Sequence, residues 1–330
     1  MGLPNAGTTV FRIVDGSGDG LPGIFIDCCD RHWLVQTRDV EWPAWLMETR
    51  DICHWKSLWW KRLDQNVKES PRHMAGSGPQ AGALNVRELS LTYALDFGAG
   101  YSQGLFIDQR LQKAWVAENV QADQRVLNLF AYTCAFSVVA ASRGAVTTSV
   151  DLSRSYLEWG KRNFALNNLD PSKHFFSKGD AGGWLRRFAA KGRTWHGIVL
   201  DPPTFSRNDD GQVFRIEKDF PGLVAASLGV LEQGGWLLCS SNHRALSDQQ
   251  FLSLIRCGAE AAGCSIDCEP GAMPPDFTGE RYLKAWLVRS WRRESAAPFR
   301  ARTSTTPAQR HPRSPKSDST MKSSDPDAGG

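Results

Sequence analysis

Asp201-Pro202-Pro203-Thr204-Phe205 follows the short apolar run Gly197-Ile198-Val199-Leu200. A run of that kind reads as a buried strand, with Asp201 at its C-terminal tip. Two successive prolines fix φ and remove two backbone donors. The first also holds Asp201 extended. The product is a stiff corner that carries one carboxylate and one aromatic ring. Such a corner can grip a flat polar group such as a nucleobase, the ring stacking and the carboxylate accepting N–H bonds. It can equally be a proline turn with a capping aspartate, so its meaning depends on what stands beside it.

Three other strand tips stand beside it. Strand 125–129 ends in Asn128-Leu129-Phe130-Ala131-Tyr132-Thr133-Cys134-Ala135-Phe136. A small-residue turn that opens a helix is where a doubly wound fold binds a nucleotide-like ligand. The turn has no G-x-G-x-x-G, which argues against a pyrophosphate and permits a ligand without phosphates. The next strand ends in Asp151-Leu152-Ser153, and an acid at that tip is placed to accept the hydrogen bonds of ribose hydroxyls. Asp151 would otherwise cap the following helix, a task that Ser153 can fill. Gly179-Asp180 ends the third strand and is placed to meet an adenine edge. A ligand with adenine and ribose but no phosphate suggests S-adenosylmethionine.

The elements that must hold these tips are legible as an alternation. From residue 84 the chain reads as a hairpin (85–97) and a helix (108–119). Strands at 125–129, 145–150, 175–178, 198–200 and 235–240 then alternate with helices at 135–143, 153–166, 181–190, 217–231 and 248–262. Strands at 265–269 and 283–288 close the series. This order predicts a mostly parallel, seven-stranded sheet with helices on both faces. Residues 10–42 read as β-rich, 45–53 as a short amphipathic helix, 58–60 as strand and 70–83 as loop. The predicted organisation is a small α+β domain over 1–83, an α/β domain over 84–294, and a disordered basic tail over 295–330. The tail is rich in Ser, Thr, Pro and Arg and cannot bury enough surface to fold. Trp55, Trp59 and Trp60 interleave with Lys56, Lys61 and Arg62. They form either a stacking surface for nucleic acid or a core cluster with basic rims.

Composition narrows the class. The chain has 330 residues, 41% hydrophobic, with a net charge of +4. The tail supplies +3 of that, so any nucleic-acid contact on the body must come from local patches. No run of about 18 apolar residues predicts a membrane span. No secretory leader is evident. The eight cysteines form no C-x-x-C pair, so no metal site is expected and a reducing, cytoplasmic setting is.

The four strand tips together look like those of class I methyltransferases, which have a Rossmann-like fold and use S-adenosylmethionine. More narrowly, the chain resembles the 23S ribosomal RNA large-subunit methyltransferases that modify cytosine C5 or guanine N7. The resemblance runs through Arg12-Ile13-Val14, Gly18–Ile24, Gln103-Gly104-Leu105-Phe106-Ile107-Asp108-Gln109-Arg110, Leu127–Phe136, Asp151–Ser153, Asp201–Phe205 and Tyr282-Leu283-Lys284. It covers nearly the whole folded part, and the octapeptide is its most specific piece. It implies that Phe106, Asp108 and Arg110 border the cofactor. With them would stand Phe130, Ala131, Tyr132, Thr133, Asp151, Leu152, Ser153, Asp180 and Asp201.

The chain departs from that pattern in three places. Cys134-Ala135 stands where members often carry Gly-Gly. Many members begin with an RNA-binding PUA domain, which this sequence is expected to lack. Third, enzymes that methylate cytosine C5 first add a cysteine thiolate to C6. By register from Gly234-Gly235, that cysteine position falls on Asn242, and Cys239 falls inside the strand. The ending Ser241-Asn242-His243-Arg244 resembles the guanine-N7 members instead. Guanine N7 has an available lone pair, so positioning suffices. The expected catalytic set is Asp201, Pro202, Pro203, Phe205 and Asn242, with Arg207, His243 and Arg244 meeting RNA phosphate. The rivals are a methyltransferase acting on a protein or small-molecule amine and a non-catalytic protein that binds S-adenosylmethionine and RNA.

Overall fold

The structure is a computed structural model that describes residues 2–63, 69–79, 84–100, 102–203, 205–207 and 213–292. These lie in one compact unit, Met1–Ala297. The predicted tail and Thr204 fall outside the described residues, as do the side chains of Phe205 and Arg207.

The N-terminal part is a five-stranded sheet in chain order: β1 (Val10–Asp15), β2 (Ile24–Cys29), β3 (His32–Thr37), β4 (Ser57–Arg62) and β5 (Arg72–Gly76). β3 and β4 are parallel because a crossover joins them, made of the 3-10 turn Ala44–Thr49 and the short helix α1 (Arg50–Cys53). One sheet face, with Ile26, Trp33, Val35, Leu58 and Trp60, buries Leu46 and Trp55 of that crossover. The tryptophans are therefore core: Trp55 and Trp60 are 3% and 6% exposed, and half-buried Trp59 stacks on Phe97 at 5.0 Å. The other face sends Val10, Cys29 and Leu34 into a core shared with Tyr93, Leu95 and Leu157. β5 lies where a loop was expected. It is an edge strand between Pro71 and Gly78, and edges tolerate the proline and glycine that disguise it.

A hairpin of β6 (Leu84–Glu88) and β7 (Leu91–Leu95) leads to the 3-10 turn Ile107–Gln109 and α2 (Arg110–Asn119). Strand and helix then alternate: β8 (Arg125–Leu129), α3 (Ala135–Ser142), β9 (Val146–Asp151), α4 (Arg154–Leu166), β10 (Phe175–Lys178), α5 (Ala181–Ala190), β11 (Trp195–Leu200). A small ribbon of β12 (Phe205–Arg207) and β13 (Val213–Arg215) follows. The series ends with α6 (Ile216–Gly229), β14 (Leu231–Ser241), α7 (Asp248–Ala261), β15 (Cys264–Pro270) and β16 (Lys284–Arg292).

The seven-stranded sheet has the order β10-β9-β8-β11-β14-β16-β15. All its strands run parallel except β16, which pairs antiparallel with both β14 and β15. Strand alternation feeds two cores. Leu127, Leu129, Ile198, Leu200, Leu237 and Cys239 pack on α5, α6 and α7. Val126, Val199, Trp236 and Leu238 pack on α2 and α3. The strand order reverses between β8 and β11, and ligands bind at such a switch point.

Candidate active site

The tips of β8, β9, β11 and β14 and the 102–113 segment enclose a cavity of about 580 Å³. Phe106, Asp108, Phe130, Ala131, Tyr132, Thr133, Asp151 and Leu152 line it, with Asp201, Pro202, Pro203 and Asn242. Side chains from Ser102 to Leu283 thus meet in one place, as the alternation required.

The turn after β8 is built from alternating left-handed residues: Phe130, Tyr132 and Cys134 have φ of 58°, 48° and 63°. Each costs free energy that a glycine would not. The conformation turns the Tyr132 N–H toward Asp151 Oδ2 at 2.8 Å, while Oδ1 accepts the Ser153 N–H at 2.8 Å. Burial pushes the Asp151 carboxyl up, and these two amides work against it. Ser153 accepts the Tyr156 N–H and caps α4. Asp151 is thus freed from capping and faces the cavity. Ala135 and Phe136 bring in the first turn of α3, whose leading amides have no intrahelical partner.

Opposite lies the octapeptide. Gly104 has φ of 113°, and a Cβ there would stand 2.4 Å from Trp159, so only glycine fits. Its carbonyl accepts the Thr133 hydroxyl at 2.6 Å, which joins the two cavity walls. Phe106 packs at a tilt against Tyr132 at 5.1 Å, and Tyr132 meets Tyr156 edge to face at 4.6 Å. Asp108 Oδ2 accepts the Tyr282 hydroxyl at 2.9 Å, while its buried Oδ1 has no partner among the described residues. Lys113, also in the wall, is locked to buried Glu88 at 2.5 Å and donates to the Phe106 carbonyl.

At the tip of β11, Asp201 Oδ1 accepts the Ser240 hydroxyl at 2.6 Å, and Ser240 accepts from Gln109 Nε2 at 3.2 Å. Burial pushes the Asp201 carboxyl up to about 6; hydrogen bonds from Ser240 and Gln109 oppose this, and the charge of Asp108 adds to it. Asn242 lines the cavity at the tip of β14. Cys239 is fully buried in the opposite core, and burial holds its thiol well above the usual range.

Five of the expected site residues stand away from the cavity wall. Arg110 is a buried ion-pair partner of Asp276. Ser153 is a cap, as above. Asp180 is exposed and caps α5 through the Gly183 N–H at 2.7 Å. His243 pairs with Glu217 at 2.8 Å, and Arg244 with Glu280 while stacking on Tyr282 at 4.6 Å. Sequence reasoning missed Gln109, Lys113, Asn128 and Tyr156 as wall residues. Gln109 and Lys113 are four apart at the start of α2, a spacing that places them on one face. Gln109 also lies in the octapeptide and Asn128 opens the turn sequence 128–136, so both stood in flagged segments without being named as site residues.

The cavity fits an adenosyl ligand. Its volume lies in the usual range of small-molecule sites, about 300–1,000 Å³. It offers aromatic faces, an inward carboxylate after β9, a buried unpartnered oxygen on Asp108 and open helix amides. Fold and site together define a Rossmann-like methyltransferase. Comparison with known proteins makes this specific: the family model for S-adenosylmethionine-dependent methyltransferases matches residues 68–289, and the chain belongs to that family. Its cofactor is S-adenosylmethionine.

The chain is 29% identical over 268 residues to ribosomal RNA large subunit methyltransferase K of Neisseria meningitidis serogroup B, covering 79% of this chain and 72% of that protein. It is 34% identical over 206 residues to ribosomal RNA large subunit methyltransferase K/L of Pseudoalteromonas translucida. That match covers 62% of this chain but 28% of the relative, so the chain spans about a quarter of that protein's length. Among solved structures it is similar to SMU.776 in complex with SAH, with a TM-score of 0.77 and 27% identity, covering 86% of this chain and 76% of that one.

Proposed function

We propose that this protein methylates RNA, ribosomal RNA of the large subunit, at guanine N7 in preference to cytosine C5. The RNA class is supported by the relatives that carry that activity in their names. The choice of atom rests on one observation: Asn242 stands in the cavity with Asp201, and none of the eight cysteines lines it.

Bound in the cavity, S-adenosylmethionine supplies a methyl group on a positively charged sulfur. Asp151 accepts the ribose hydroxyls, held in place by the amides of Tyr132 and Ser153. Phe106 and Tyr132 would cover the adenine, and the 129–133 turn and Asp108 would hold the remainder. Asp201 accepts N1–H and N2–H of the target guanine, and Asn242 holds the base edge. Pro202 and Pro203 keep Asp201 extended, and Phe205 stacks on the base. Guanine N7 has a free lone pair in this pose, so no side chain must remove a proton. With the donor bound, transfer to N7 would leave a neutral thioether, so no residue of this chain would have to take up charge or a proton at the sulfur. A C5 reaction would instead need a thiolate at C6 and a base for the C5 proton. Arg207, His243 and Arg244 meet the flanking phosphates.

The test is transfer of labelled methyl from S-adenosylmethionine to 23S rRNA, followed by nucleoside analysis. Label is expected in 7-methylguanosine, with Cys239→Ser as active per folded molecule as the parent. Label in 5-methylcytosine, lost in Cys239→Ser, would overturn the assignment.

A further inference from the structure

We propose that the free edge of the seven-stranded sheet at β10, together with the outer face of α5, is a docking surface for the phosphodiester backbone of RNA. The proposal rests on the reading of RNA as substrate and adds where the strand is held. Between residues 172 and 193 there are six Lys/Arg and one Asp, a net of +5. The whole chain carries +4, so everything else sums to −1. Residues 281–293 also carry +5 and the tail +3, so this segment is one of the chain's local basic patches rather than its only one. Lys173, Lys178, Arg186, Arg187, Lys191 and Arg193 are all exposed. Among the described residues Arg186, Arg187, Lys191 and Arg193 take part in no salt bridge. The segment's one carboxylate, Asp180, caps α5.

The cations are interleaved with rings. Arg187 lies over Trp184 at 5.1 Å and Arg193 over Phe175 at 5.8 Å. Phe175 is 50% exposed on the edge strand, and Trp184 Nε1 donates to the Lys178 carbonyl at 3.1 Å, joining helix to strand. Cationic side chains for the backbone and an open ring for a base are what single-stranded RNA needs. Structural roles account for only part of the set. A lysine on an edge strand discourages strand pairing, which covers Lys178. Basic residues at a helix C-terminus complement its dipole, which covers Arg187 and Lys191. Neither reason covers Arg186, Arg193 or exposed Phe175. The surface also begins at the cavity: the Gly179 N–H at the tip of β10 donates to the Asp151 carbonyl at 2.9 Å. Four residues at roughly 3.3 Å each carry it about 13 Å outward from there.

The test uses the full chain and a fluorescein-labelled mixed-sequence single-stranded RNA, with anisotropy read between about 50 and 200 mM salt. Arg186→Gln/Arg187→Gln/Lys191→Gln/Arg193→Gln is expected to bind at least about tenfold more weakly, with the log–log salt slope smaller by roughly 2 to 3. Phe175→Ala should lose about fivefold with the slope unchanged. Arg186→Lys/Arg187→Lys/Arg193→Lys should keep the parent slope. S-adenosylmethionine affinity by calorimetry should be unchanged in every variant, which reports an intact fold. Parent affinity and slope in the quadruple variant would overturn the surface and leave the RNA reading standing. A parent protein that neither binds RNA nor labels rRNA would overturn both. Binding to phosphatidylserine vesicles that the quadruple change abolishes, with RNA binding untouched, would make the partner a membrane and overturn the proposal.

Discussion

Asp201 is held by two opposed demands. The role proposed for it in gripping the base needs a carboxylate, while the site's burial favours the neutral acid, with the pKa at about 6. The unfolded value is about 3.9. A raised folded pKa means that the fold favours the protonated form. That stabilisation is complete below about pH 4 and is lost as pH rises through 6. At pH 8 the ionised group costs on the order of 2 kcal/mol. Asp201→Asn is therefore expected to raise stability at pH 8 by that order, measured by urea unfolding, and to lower transfer at least about 100-fold. In the parent, transfer should fall as pH drops below about 6. A profile flat from pH 5 to 8 would remove Asp201 from base recognition. Asp201 could be named from the sequence because it ends an apolar run, Asp151 because it ends the β-branched stretch 146–150, and Asn242 by register from Gly234-Gly235. The Gln109–Ser240–Asp201 chain was not, because Gln109 and Ser240 lie 131 residues apart and only packing brings them together.

At the scale of elements, the turn after β8 pays for its shape at Cys134, whose left-handed φ of 63° suits glycine. The reason lies in α4. A Cβ on Gly160 would stand 2.4 Å from the Cys134 sulfur, so a larger residue in the turn is matched by the smallest one on the helix. Gly160→Ala should cost about 1–3 kcal/mol. Cys134→Gly should recover most of that in the double variant, a coupling that thermal unfolding of all four proteins measures. Additive losses would show that the contact is not what ties the two positions. The departure at 134 was visible in the sequence, but its partner was not, since only packing brings 134 and 160 together. β5 was missed for a different reason. Its proline and glycine neighbours carry the local signals of a loop, and its pairing with β4 is a tertiary fact.

Across the whole molecule, the order of strands and helices from residue 84 onward was readable, with element ends within about four residues, because β and α periods differ and each element buries one face. Net charge was readable too, yet the total concealed its placement: +4 overall hides +5 within 172–193. Binding of S-adenosylmethionine should stabilise the entire unit. At about 100 times its dissociation constant the gain is about 2.7 kcal/mol, which a thermal shift reads. Asp151→Ala should lose that shift at the same ligand concentration while keeping the unliganded melting temperature within a few degrees. An unchanged shift would move the ribose elsewhere.

Asp276 accepts both the Arg12 backbone N–H and the Arg110 guanidinium, and Asp15 accepts the Gly279 N–H across 264 residues of chain. Synthesis runs from the N-terminus, so Arg12 and Asp15 leave the ribosome long before the residues that complete their network. The first strand made is among the last to be locked. A nascent chain stopped before residue 276 should expose β1 to protease, and one released beyond residue 292 should protect it.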